Sequence, residues 1–107
     1  MFKEFSPQQL QDHLEQVSKQ PILLDVREPW EFERCYIKNS KLIPMRQVPS
    51  ALREFDIDEE IVVICHHGIR SRAVANYLAQ QNYSKVINLS TGIDGWARDI
   101  DTTMPIY

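Results

Sequence analysis

The chain has 107 residues, of which 43% are hydrophobic and 25% charged, and its formal net charge at pH 7 is −3. That length fits one domain able to bury its own core, and the balance excludes a disordered or fibrous chain. No apolar run approaches the ~20 residues of a membrane-spanning helix, and no basic face points to nucleic acid as a partner.

The N-terminus, MFKEFSPQQL, lacks the basic-then-apolar pattern of a secretory signal. The expected compartment is therefore a reducing cytoplasm, where Cys35 and Cys65 are read as two thiols. The first predicted element is a helix in SPQQLQDHLEQVSKQ, residues 6–20. Ser6 caps it, Pro7 suits its first position, Gln9 completes a capping box, and Leu10, Leu14 and Val17 recur at helical spacing. His13 lies beside that stripe and is read as a surface or half-buried helix residue. After Pro21, ILLDV is a short continuous apolar run, as in a strand buried on both faces. Asp25 and Arg27 at its end are read as a structural pair.

EPWEFER offers one or two helical turns starting at Pro29, LIPM a weak short strand, and PSALREF another brief helix. IVVI, residues 61–64, is the clearest strand because all four of its residues are β-branched isoleucine or valine, and an acidic turn-like DIDEE precedes it. From Ser71, the residues Val74, Tyr77 and Leu78 form a helical stripe supported by Ala73, Ala75 and Ala79. VINL is a final strand, and TGIDGWARDI a short helix around Trp96; Trp30 and Trp96 are read as core anchors. Such alternation predicts an α/β fold, a mostly parallel sheet with helices on both faces.

Ligands of such sheets collect beyond the carboxyl ends of the strands, where loops run into helix N-termini. Cys65 stands at such a point, with CHHGIR as the turn between strand and helix. Peptide N–H groups of the turn can converge on whatever the sulfur carries, and Gly68 can take the positive φ a tight turn requires. A free thiol titrates near about 8.5, and a helix N-terminus with cations such as Arg70 and Arg72 favours the thiolate. These residues predict a nucleophilic, solvent-reachable cysteine in an anion-binding loop; the alternative is a buried, inert one. Zinc binding by Cys65, His66, His67 and Cys35 lacks a recognised ligand spacing.

The blocks LLDVREPWEF, IVVICHHGIRSRAVANYL and STGIDGWARDID resemble, in order and over nearly the whole chain, three signature blocks of the rhodanese-like sulfurtransferases. The resemblance implies a single rhodanese-like domain over residues 1–107, with a parallel five-stranded sheet flanked by helices on both faces. It implies Cys65 as the catalytic residue that carries sulfur as a persulfide, with His66, His67, Gly68, Ile69 and Arg70 as the substrate-binding loop. It calls for no metal or organic cofactor. The implied partners are a small anionic sulfur donor such as thiosulfate and a thiophilic acceptor: cyanide, a thiol or a protein.

Related cysteine phosphatases carry an arginine six positions after the nucleophile, where this chain has Ser71; Arg70 is five positions on. Where the family commonly has glycine, histidine, isoleucine and a proline-glycine turn, this chain has Cys35, Tyr36, Ile37 and KNSK, so a different local backbone is expected. Two other functions stay open: a non-catalytic docking module on the same scaffold, and a thiol redox protein using Cys35 and Cys65.

Overall fold

Five parallel strands form the centre of the computed structural model, which describes residues 1–107. They are β1 (Lys3–Phe5), β2 (Ile22–Asp25), β3 (Lys41–Leu42), β4 (Ile61–Ile64) and β5 (Val86–Leu89), ordered β1-β5-β4-β2-β3 across the sheet. The connecting helices are α1 (Pro7–Gln16), α2 (Pro29–Arg34), α3 (Val48–Ala51), α4 (Ile69–Gln80) and α5 (Gly92–Asp99). From β2 the chain steps outward to β3, whereas from β4 it steps the opposite way to β5. The carboxyl ends of neighbouring β2 and β4 therefore border a topological switch point, the place where open α/β sheets bind ligands.

Every residue of β4 is buried, and its alternation divides the core. Ile61, Val63 and Cys65 pack with Val74, Ala75 and Leu78 of α4, while Val62 and Ile64 pack with Leu10 of α1 and Ile93 and Trp96 of α5. The predicted layers are thus present, with α4 on one face and α1 and α5 on the other.

The capping box of α1 forms as expected: Gln9 N–H donates to Ser6 Oγ at 3.1 Å, and Ser6 N–H to Gln9 Oε1 at 2.8 Å. The helix ends at Gln16, short of the predicted residue 20, because Val17 turns extended (φ −78°, ψ 142°) to start the climb to β2. The weak strand predicted at LIPM is reduced to Lys41–Leu42, since Pro44 has no N–H to extend a ladder and Met45 opens a 3-10 turn. Helix α4 starts at Ile69, two residues before the predicted Ser71, so Ile69 and Arg70 belong to its first turn.

β1 has no counterpart among the elements predicted from residue patterns. It is three residues long, and its existence depends on the open edge of β5, where Lys3 pairs with Ile87 and Phe5 with Leu89. Trp96 is 8% exposed and anchors the core as predicted, but Trp30 is 60% exposed. In the six-residue α2 it is Glu31 that turns inward, and this leaves Trp30 outside, edge-on to Tyr107. Cys35 is extended (φ −170°) and needs no glycine; Asn39 takes the positive φ (71°) in KNSK instead.

Candidate active site

The loop after β4 is fastened from two sides. Gly68 adopts φ 94° at the N-terminus of α4, and a Cβ there would collide with the Ser90 carbonyl oxygen. Its own carbonyl accepts from Arg72 N–H at 3.2 Å and from Nδ2 of the fully buried Asn88 at 3.3 Å. From the other side, the N-terminus of α5 donates into the loop: Ile93 N–H to the Cys65 carbonyl at 2.9 Å and Asp94 N–H to the His66 carbonyl at 3.0 Å. Gly92 allows this approach, because at φ 64° a Cβ on it would collide with those same two carbonyl oxygens. Helix N-termini have N–H groups without intrahelical partners, and here both supply of donors and tight spacing are used.

Cys65 lies at the base of this loop. Its Sγ accepts from Gly68 N–H at 3.1 Å and from Ser71 N–H at 3.3 Å. As a thiol it donates to Ser71 Oγ at 3.2 Å; as a thiolate it could accept from the same hydroxyl, which is free to rotate. Donors converging on a sulfur suit a negatively charged one. The expected access is narrower than the sequence suggested, since only 1% of Cys65 is exposed.

Arg70, expected to face an anionic substrate, is taken by Glu31 through two bonds of 2.6 and 2.8 Å. Glu31 is 3% exposed and also accepts from Glu28 N–H at 3.0 Å and from Tyr107 OH at 2.9 Å. The Arg70 hydrogen bond, helped by Glu28 N–H and Tyr107 against the opposing effect of burial, holds the Glu31 carboxyl down at about 2. The same bond raises Arg70 above its ordinary value. Behind them, Arg27 and Asp25 form the predicted pair, both fully buried, with Nε–Oδ1 at 2.9 Å and Nη2–Oδ2 at 2.7 Å. Arg27 also donates to the Cys35 carbonyl at 2.7 Å and to Tyr107 OH at 2.8 Å. Burial opposes its charge, but Asp25 more than compensates and raises it. Burial pushes the Tyr107 phenol up to about 12, so it remains a neutral donor to Glu31.

His66 is sandwiched, stacked on His67 at 3.8 Å and on the Tyr107 ring at 3.9 Å. Burial first, and then His67, lowers its pKa. His67 and Ile69 are exposed, Ile69 by 72%. Ligand atoms of His66, His67 and Asp94 lie within 4.8 Å of one another. Asp94 also accepts from Arg98 Nε at 2.9 Å.

Of the residues expected in the loop, Gly68 reaches the sulfur, Arg70 is paired with Glu31, and His66, His67 and Ile69 form the rim. Ser71, Glu31, Gly92 and Tyr107 were not anticipated. Glu31 had a local signal, since an acid two positions after Pro29 falls in the first turn of the predicted helix. Tyr107 had none, because it meets Arg27 and Glu31 from 80 and 76 residues away.

A family model described as "Rhodanese-like domain" matches residues 6–99. The thiosulfate sulfurtransferase GlpE of Pseudomonas syringae is 36% identical over 95 residues, covering 89% of this chain and 87% of that protein. The Haemophilus influenzae GlpE is 35% identical over 105 residues, 95% of this chain and 97% of its own. Among solved structures, a rhodanese-related protein of Thermoplasma volcanium superposes with a TM-score of 0.81 at 28% identity, over 92% of this chain and 93% of that one. A rhodanese-like domain protein of Staphylococcus aureus gives 0.79 at 33% identity, over 88% and 90%. With its parallel sheet, its clamped cysteine loop and these relatives, the chain belongs to the rhodanese-like family of sulfurtransferase enzymes.

Proposed function

We propose that Cys65 carries sulfur between a donor and an acceptor as a persulfide. The observation that supports this most directly is the Cys65 Sγ held between the N–H groups of Gly68 and Ser71, at 3.1 and 3.3 Å. The Cys65 thiolate attacks the outer sulfur of thiosulfate, the S–S bond breaks, and sulfite leaves with its electron pair. Cys65 is left as an anionic persulfide. Cyanide or a thiolate then takes the terminal sulfur and restores the Cys65 thiolate, so each turnover is two displacements with ping-pong kinetics. The loop N–H groups stabilise the charge in both steps. The 1% exposure of Cys65 suits the transfer of a single atom by a slender donor.

The supporting comparison is with relatives named for thiosulfate sulfurtransfer. A cytoplasmic setting belongs to the same proposal, on the ground that Cys35 and Cys65 are both free thiols; no helix is long and apolar enough to cross a membrane. The redox alternative is disfavoured by geometry. Cys35 packs in the cluster with Val62 and Ile64, and Cys65 in the cluster with Ile61 and Val63, on opposite faces of β4.

Intact mass after incubation with thiosulfate tests the proposal. A gain of one sulfur atom is expected, removable by dithiothreitol and absent in Cys65→Ser. An unchanged mass in the unaltered protein would leave the docking module as the better description.

A further inference from the structure

We propose that Glu31 is a specificity-determining residue: by neutralising Arg70 it biases the site against dianionic donors and toward neutral or singly charged hydropersulfides. This rests on the persulfide reading of Cys65 and names the class of donor the site prefers.

Every arginine around the loop is already matched by a carboxylate. Arg27 pairs with Asp25 at 2.7 Å, Arg46 with Glu28 at 2.8 Å, Arg70 with Glu31 at 2.6 Å and Arg72 with Glu4 at 2.8 Å. Asp94, beside the two histidines, is matched with Arg98. Of these, the Arg70–Glu31 pair bears most directly on the sulfur: Arg70 immediately precedes Ser71, whose N–H reaches Cys65 Sγ, and its partner Glu31 is buried, whereas Arg72 and Glu4 are both exposed. Arg70 cannot leave Glu31 without stranding a carboxylate that is 3% exposed, and Glu31 is itself held by Glu28 N–H and Tyr107 OH. What remains to receive a donor is the set of loop N–H dipoles and an anionic sulfur. Two further negative charges brought beside a thiolate find no unpaired guanidinium to offset them.

A hydropersulfide, R–S–SH, avoids that repulsion. The Cys65 thiolate attacks its terminal sulfur, the S–S bond breaks, the thiolate RS⁻ leaves with the electron pair, and Cys65 becomes a protonated persulfide. Charge is −1 before and after, the transferred sulfur keeps its oxidation state, and the S–S bond gained by Cys65 is the one lost by the leaving thiolate, so no outside oxidant or reductant is needed.

The test is steady-state kinetics with two probes, thiosulfate and cysteine hydropersulfide. Glu31→Gln keeps an acceptor for Arg70 and removes the negative charge. It is expected to lower KM for thiosulfate about ten-fold while changing kcat/KM for cysteine hydropersulfide less than about two-fold. Glu31→Gln combined with Arg70→Gln restores a neutral pocket and should return thiosulfate to near its original KM. Equal changes for both probes, or a raised thiosulfate KM in Glu31→Gln, would overturn the inference. If the variants do not fold, salt decides with the unaltered protein: kcat/KM for thiosulfate should hold or rise with added salt, and a steep fall would reveal an unpaired cation at work. Failure to gain sulfur from either probe removes the persulfide reading itself, whereas sulfur gain without probe discrimination removes only the role of Glu31.

Discussion

The two cysteines of this chain are both buried, at 1% and 8% exposure, yet their sulfurs have opposite surroundings. Cys65 Sγ accepts from two peptide N–H groups at the start of α4. Cys35 Sγ, among Leu23, Ile37 and Trp96, has the Pro105 carbonyl at 3.6 Å, to which it can only donate. A sulfur that receives two N–H bonds is offered stabilisation of negative charge, and one whose only polar neighbour is a carbonyl is offered none. Burial alone therefore does not separate a working cysteine from an inert one; the direction of the neighbouring dipoles does.

The largest expected effect breaks or upholds that contrast directly. Limiting iodoacetamide followed by peptide mapping should label Cys65 at least about a hundred-fold faster than Cys35, and equal rates would erase the distinction. Next comes the backbone that holds the loop. Gly92→Ala forces a Cβ toward the carbonyl oxygens of Cys65 and His66, so sulfur transfer should fall about a hundred-fold and stability by about 2 kcal/mol, read by turnover and urea melts.

Acid then probes the network beside the loop. The Arg70 hydrogen bond holds the Glu31 carboxyl at about 2 in the folded chain, well below the ordinary glutamate range, so its contribution to stability is present above about pH 5 and is lost as pH falls toward 2. The loss should be on the order of 2 kcal/mol in urea melts across that window, and Glu31→Gln should flatten the slope. The smallest effect is expected on the inert side: Cys35→Ala should cost about 1 kcal/mol and leave sulfur loading of Cys65 unchanged.

What could be read from the sequence follows the range of the interactions. β4 and β5 were legible because continuous β-branched and apolar residues meet burial on both faces, and α1 because its capping box is a contact over three residues. The position of Cys65 before a glycine and a helix was likewise a local pattern. β1 was not, since KEF is a strand only by courtesy of the β5 edge. The engagement of Arg70 was hidden for the same reason: its partner Glu31 is 39 residues away, and the identity of a nearby cation says nothing of what neutralises it. Trp30 was misplaced because the helical phase of a six-residue α2 is set by inward-turned Glu31, not by the largest apolar side chain.

The α5 N–H groups grip main-chain oxygens at Cys65 and His66, and the Gly68 N–H meets the sulfur without any side chain of its own. The side chains of His67 and Ile69 project outward and take no part in that fastening. Replacements at those two positions should thus retune which acceptor is admitted while leaving the sulfur where it is, a division of labour that lets recognition drift as chemistry stays fixed.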